Sequence, residues 1–392
     1  MLKCYAIGKN HYDLKIGSTL NNQKKILLFL DNLRVGGIQR LALDEAYCLS
    51  SRGYEVEIIL LEKVRELDDM REIDADFFNK HRIKVTTVTG SNYQKIKGIA
   101  LILKRSSATK VISHSSKGIA LLRISSFLIF REIEILGYIH QLITLSDNIQ
   151  RLKRIVFFSL ASELRASSKQ FVLELEMLLE RRQYLKLILR KKIKFDRMGV
   201  FVERIIAQDN QSPINVANQK TSLIFMSRVA IWKGFGRYLS IARELRGEFN
   251  YIAITSRFHN DVFEVEQACS EIGVQLMYGT NVARANRGYR SIHLYPADYG
   301  NKINFPQNLG LNVLESMALG IPSLISHEEL WSWPELEKSK LIWMTDWSVP
   351  DVQAKIDEIV KMPNLAFLEE AKALEHVFSI EGHIERIIEF LE

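Results

Sequence analysis

Two groups of residues in this chain have the types and spacing to hold a phosphorylated ligand. Leu309-Gly-Leu-Asn-Val-Leu-Glu315 continues as Ser-Met-Ala-Leu-Gly-Ile-Pro322. It reads as a glycine turn opening a helix that carries Glu315 and stops at Gly320-Ile-Pro322. The unpaired N–H groups and dipole of such a helix start attract phosphate, and a carboxylate one turn in can accept from sugar hydroxyls. The second group is Arg228, which follows the apolar run Ser222-Leu-Ile-Phe-Met-Ser227, and Lys233-Gly234, which opens the next helix. Two cations on a strand-to-helix loop could neutralise a diphosphate; the plainer reading is two solvated loop charges.

Weaker signals fall at comparable places. Gly36-Gly37 lies between an apolar run and a helix, where the backbone must turn sharply or approach a ligand closely. No Gly-x-Gly-x-x-Gly accompanies it, so a dinucleotide reading has little support. His114 and His140 each close an apolar run, as cleft residues or as core histidines satisfied by hydrogen bonds. Asp74-Ala-Asp76 lies in a charged stretch that follows no apolar strand, and reads as solvated acidic surface.

The elements that must position these residues alternate. Lys25–Asp31 is short and nearly all apolar, as a central parallel strand would be. A helix over 39–51 carries Ala42, Ala46 and Leu49 at i, i+4, i+7, and the next strand spans 54–61. Strands follow at 84–89, 110–114 and 132–140, with helices at 93–104 and after Lys117. After a polar stretch at 208–220 a second series opens, with strands at 222–227, 251–255, 274–278, 292–295 and 322–326. Two β/α series with a polar join predict two doubly wound domains and a cleft between them.

Bulk properties exclude several classes. A chain of 392 residues is too long for one ordinary core. No apolar run approaches the roughly 18–20 residues of a membrane span, and the start holds no stretch long enough for a secretory signal. Cys4, Cys48 and Cys269 are far apart and odd in number, which argues against a disulfide framework or zinc site and for a reducing, cytoplasmic setting. Between Arg151 and Arg204 there are 14 Lys/Arg against 6 Asp/Glu, a local +8 that exceeds the whole chain's +7. Arg182, Lys186 and Arg190 form one stripe of a helical stretch, Leu178, Leu185, Ile188 and Leu189 another, and Arg190-Lys-Lys-Ile-Lys194 closes the run. Such a helix suits an anionic membrane surface, through segment 181–194, as well as it suits an ordinary solvated face. Nucleic acid is disfavoured, because no pattern of stacking aromatics accompanies the charge.

Taken together and in order, Val35-Gly-Gly-Ile-Gln-Arg40, Arg228 with Lys233-Gly234, and the segment 309–322 resemble the retaining glycosyltransferases of the GT-B fold, in particular glycosyltransferase family 4. The resemblance runs from about Lys25 to the carboxyl end, where Phe378-Ser-Ile-Glu-Gly-His383 and its continuation look like that family's last helix. It implies an α/β fold of two Rossmann-like domains with an interdomain cleft. The expected divisions are an extension over 1–22, an acceptor-side domain over 23–207, a nucleotide-sugar domain over 208–376, and a helix over 377–392 packing back on the first domain. It also implies that Arg228 and Lys233 hold the donor diphosphate and steady the leaving group. Glu315 would bind the ribose hydroxyls, the N–H groups around Gly310 and Leu311 would cradle phosphate, and Gly37 and Arg40 would close near the phosphates. His140 would contact the donor sugar near the reacting carbon, with His114 shaping the cleft.

Two departures matter. Gln307 stands where the resemblance puts the first carboxylate of a Glu-(seven residues)-Glu pair, and the stretch from Pro296 to Gln307 is longer than usual, so Asp298 could supply the missing charge. The expected function is transfer of a hexosyl-type sugar, with retention and without metal or cofactor, from a nucleotide-diphosphate donor to a glycan or lipid-linked acceptor in cell-surface polysaccharide or lipopolysaccharide synthesis. The expected place is the cytoplasm or the inner face of the membrane. The alternatives are a non-catalytic partner subunit with a degenerate donor site and, less favoured, a nucleotide-sugar epimerase.

Overall fold

The computed structural model of the protein describes residues 24–33, 36–62, 81, 83–140, 148–180, 183–210, 220–227, 229, 233–255, 262–278, 290–297 and 309–392. The extension expected over 1–22, Asp74-Ala-Asp76 and most of the polar join lie outside them.

The first unit alternates β1 (Lys25–Leu30), α1 (Gly37–Ser51), β2 (Glu55–Leu60), β3 (Lys84–Thr87), α2 (Asn92–Arg105), β4 (Lys110–Ser113), α3 (Ser116–Leu128), β5 (Glu134–Ile139), α4 (Asn148–Ser159), β6 (Glu163–Ala166), α5 (Lys169–Leu178), α6 (Gln183–Arg190) and β7 (Ile193–Phe195). Its seven strands are parallel, in the order β3-β2-β1-β4-β5-β6-β7. The winding direction reverses between β1 and β4. β1 is apolar from Ile26 onward because helices cover both faces of the sheet: Leu27 and Phe29 enter one core, Ile26, Leu28 and Leu30 the other.

α7 (Val202–Asn210) leads to the second unit, which continues with β8 (Ser222–Met226), α8 (Phe235–Glu244), β9 (Asn250–Thr255), α9 (Val262–Ile272), β10 (Gln275–Tyr278), β11 (Ser291–Tyr295), α10 (Leu311–Ala318), β12 (Ser323–Ile325) and β13 (Ile342–Met344). Its parallel sheet runs β10-β9-β8-β11-β12-β13, with the reversal between β8 and β11. α11 (Val349–Lys361), α12 (Asn364–Phe378) and α13 (Glu381–Leu391) end the chain.

The sequence pattern misses β6, β7 and β13, each only three or four residues long. β7 corrects the expected basic helix: the helix breaks after Leu178 and resumes at Gln183, and Ile193 leaves it to pair with Leu164 of β6. Tertiary pairing overrides local propensity there.

The two units are joined twice. Val200 and Val202 pack in the second unit's core while Met198 packs in the first, so the chain crosses near 199, ahead of the polar stretch at 208–220. It crosses back near Ser379, where a backbone bridge sets the two crossings side by side: Val200 N–H donates to Phe378 O (2.9 Å) and Ile380 N–H to Val200 O (3.0 Å). α13 then lies on the first unit, with Ile384, Ile387 and Leu391 packed among Ile26, Leu28 and Leu41.

Candidate active site

In doubly wound sheets, ligands sit beyond the carboxyl ends of the strands at the point where the winding reverses. In the second unit that point lies between β8 and β11. Gly234 there has φ +71°, and a Cβ would sit 1.7 Å from the Pro296 carbonyl oxygen, so only glycine lets this loop fold down onto the end of β11. The fold-down brings Lys233 Nζ within 2.9 Å of Tyr295 Oη, to which it donates. Tyr295 Oη in turn lies 3.2 Å from where a Cβ on Gly310 would stand, so Lys233 reaches the start of α10. Among the described residues no side chain caps that start, and Asn312 ties it to β8 through a hydrogen bond from Nδ2 to Met226 O. Glu315, one turn further, is buried.

The first unit presents its own reversal point to this group. A methyl group on Gly37 would stand 3.5 Å from the Leu311 side chain, which packs against the apolar clusters of both units. One turn into α1, Arg40 reaches across, and its Nη1 meets Glu315 Oε1 at 2.5 Å. Gly37, Arg40, Lys233, Gly310, Leu311 and Glu315 therefore converge between the two sheets. Another turn along α1, buried Asp44 pairs with Arg204 at 2.9 Å. Burial outweighs the pull of the Arg204 and Arg40 charges and raises its carboxyl to about 7.

Solved structures match this two-sheet chain along nearly its whole length. HepE of Anabaena, solved in complex with UDP and glucose, matches with a TM-score of 0.69 at 16% identity, over 94% of this chain and 99% of that one. A glycosyltransferase from Rickettsia africae matches at 0.65 and 15%, over 94% and 98%. The lipopolysaccharide outer core galactosyltransferase WaaB matches at 0.58 and 12%, over 93% and 99%. The chain has the GT-B fold. No family model matches the sequence, and no curated protein matches it.

Within this fold the two histidines form a second group, joined to the first through α1. His140, partly exposed at the end of β5, places Nε2 2.8 Å from Nδ1 of His114. His114 Nε2 lies 2.7 Å from Glu45 Oε2 on α1. Glu45 Oε1 meets His383 Nε2 of α13 at 2.7 Å, and His383 Nδ1 meets Asp196 Oδ2 at 3.0 Å. Arg386 donates to Asp196 Oδ1 at 2.6 Å. Tyr138 stacks on His114 with ring centroids 4.8 Å apart, filling the space beneath the pair.

The charges in this group are mutually set. Burial works to raise the Glu45 carboxyl, yet His114 and His383 draw it down to about 2. Burial works to lower His383, yet Asp196 and Glu45 hold its imidazolium up to about 9. Burial, then His114, pushes His140 well below the usual histidine range, so it is neutral.

Arg228, Gln307 and Asp298 lie outside the described residues. Among the described ones, no group of three or more His, Cys, Asp or Glu could hold a metal ion. Sequence reasoning missed Tyr295, Asn312, Glu45, Asp196 and His383. One signal was visible: Glu45 sits beside Ala42, Ala46 and Leu49 on the buried stripe of α1, where a lone carboxylate needs partners.

Proposed function

We infer that the protein is a retaining glycosyltransferase that moves a hexosyl-type sugar from a nucleoside diphosphate, UDP among the candidates, to a glycan or lipid-linked acceptor. The observation that carries this is the convergence of Lys233, the uncapped start of α10 and buried Glu315 at the second sheet's reversal point, with Gly37 and Arg40 facing them. A cation and helix N–H groups suit a diphosphate, and a carboxylate one turn away suits ribose hydroxyls. HepE was solved with UDP and glucose, and WaaB is a lipopolysaccharide core galactosyltransferase; both ligand and acceptor class come to this chain only within this reading.

In the reaction so read, Lys233, Arg228 and the N–H groups around Gly310 and Leu311 stabilise the departing diphosphate as the bond from the anomeric carbon to phosphate oxygen breaks. The acceptor hydroxyl attacks from the same face and its proton passes to the leaving phosphate. His140 contacts the sugar, Gln307 its hydroxyls, and Asp298 supplies a carboxylate from the longer loop. This scheme asks for no metal.

A place at the inner face of the membrane, within cell-surface polysaccharide synthesis, belongs to the same reading. Among the described residues no helix is long and apolar enough to cross a bilayer. The first unit carries Phe127 and Phe130, 74% and 93% exposed, at the end of α3, and α6 leaves Leu187 and Arg190 exposed. Apolar side chains held out beside basic ones suit an anionic lipid surface.

The test is a panel of nucleotide sugars read by thermal shift and by release of the free sugar, with the anomer identified by NMR. A UDP-sugar that stabilises the fold and releases its sugar with retained configuration supports the reading. Binding of nucleotide without any turnover favours the second reading, a non-catalytic partner of the same fold, to which Gln307 in place of a carboxylate points. No binding at all sinks both.

A further inference from the structure

The first sheet carries a polar edge at its own reversal point that the donor site does not use. Asp31 follows β1 and Ser115 follows β4, and the Ser115 hydroxyl donates to Asp31 Oδ1 at 2.6 Å across that point. Beside them, Glu62 follows β2, with its backbone N–H on Asp31 O (2.8 Å) and its carboxylate accepting from Asn32 Nδ2 (3.0 Å). Gln39, two residues after Gly37, donates to Asn32 Oδ1 at 3.4 Å. The edge therefore adjoins the start of α1, where Gly37 and Arg40 face the second unit.

Two cations stand over it. Lys117 is exposed in the first turn of α3, and Lys95, one turn into α2, is only 7% exposed. Lys95 shares the inward face of α2 with Ile99, four residues on. The charged neighbours of its ammonium are Lys117, then Glu62 and Asp31. Among the described residues neither ammonium forms an ion pair, and the two carboxylates are taken up by the neutral donors Ser115 and Asn32. Burial, then the Lys117 charge, lowers Lys95 from its ordinary value. A buried ammonium set beside a second ammonium is costly, and an anion between the two relieves that cost.

The start of α3 adds to the attraction. Its N-cap, Ser115, accepts from Gly118 N–H at 3.0 Å, which leaves the N–H groups of Ser116 and Lys117 at the positive end of a 13-residue helix. A Cβ on Gly118 would stand 2.7 Å from Ser113 Oγ and 3.4 Å from the Leu61 side chain, so this start is seated on the ends of β4 and β2. The carboxylates decide what the anion is attached to. A bare anion meets Asp31 and Glu62 as like charges. A sugar bearing one anionic group can set that group on the lysines and turn its hydroxyls, which donate, to the carboxylates.

We propose that this edge is the acceptor subsite and takes a sugar bearing an anionic group, a phosphate ester or a carboxylate, held by Lys95, Lys117 and the start of α3, with its hydroxyls on Asp31 and Glu62. That the bound sugar is the acceptor rests on the glycosyltransferase reading; the anion site does not.

The experiment is a 1H–15N NMR titration of the full chain, saturated with UDP to fill the donor site, with glucose, glucose 6-phosphate and glucuronate. The expected result is shifts at the Ser116, Lys117 and Gly118 amides with an anionic sugar and none with glucose; a response to the phosphate alone, or to the carboxylate alone, identifies the source of the anion. Lys117→Gln should weaken that binding about tenfold or more, Lys95→Met should remove it, and Lys233→Ala should leave it unchanged. If Lys95→Met does not fold, Lys117→Gln decides, since that side chain is exposed. No shift with either anionic sugar overturns the proposal, as do glucose binding equally well and a Lys117→Gln variant that binds as the wild type does. With the UDP-sugar that the panel selects, saturating anionic sugar should alter the rate of UDP release; an unaltered rate overturns the role as acceptor subsite. A wild type that binds no UDP sinks the glycosyltransferase reading; the titration then runs without UDP and the anion site stands or falls by itself, so the two failures are distinguishable.

Discussion

Replacing Glu315 by Gln removes a charge from the proposed ribose site at almost constant volume. Only 4% of the Glu315 side chain is exposed, and Arg40 occupies Oε1, so Oε2 is the oxygen left for a ribose hydroxyl. One hydrogen bond to a charged acceptor is worth roughly 1.5–3 kcal/mol, which is about 10- to 150-fold in affinity. Folding should suffer little: Arg40 has 32% of its side chain exposed and can turn to water, so the lost pair costs about 1 kcal/mol or less. The assay is titration calorimetry with UDP and 2′,3′-dideoxy-UDP, alongside thermal melts. We expect the wild type to prefer UDP by about 10- to 150-fold, and Glu315→Gln to bind UDP no better than the wild type binds the dideoxy analogue. A variant that binds UDP as tightly as the wild type refutes the assignment. So does a wild type indifferent to the ribose hydroxyls.

Lys233→Ala should weaken UDP by about 10- to 100-fold while leaving uridine binding unchanged, because Lys233 is assigned to the diphosphate alone; equal losses for both ligands would contradict that. His383 carries a folded-state pKa of about 9 against an ordinary value of 6.5, so the folded protein holds the extra proton between these limits. Its stabilisation is complete below about 6.5 and fades as pH rises through about 9, by up to about 3 kcal/mol; urea melts across pH 6 to 10 should show the decline, and His383→Gln should flatten it. Phe127→Ser with Phe130→Ser should reduce recovery on floated anionic vesicles severalfold without lowering the melting temperature, since both rings are already exposed. Recovery equal to the wild type would remove the support these residues lend to a membrane surface.

Much of the architecture was legible because its signals are local. Runs such as Lys25–Leu30 and Ser222–Met226 are apolar on both faces, which in a β/α alternation signifies central parallel strands. The glycine turn before Glu315 and the Lys233-Gly234 pair announce phosphate chemistry because helix starts and cations act over a few residues. Strands β6, β7 and β13 carried no such signal: at three or four residues they are made strands by their neighbours.

What the sequence by itself determined is the alternation of elements in two series, and which residue types stand at the strand ends. Tertiary structure alone decided which of them meet. Arg40 and Glu315 are 275 residues apart, and Glu45 and His383 are 338 apart. Their meeting depends on two crossings between the units and on α13 returning to the first sheet, and no local pattern encodes either. His140 looks identical to any other histidine in the sequence, and only the fold sets it against His114 and, through it, Glu45 and His383.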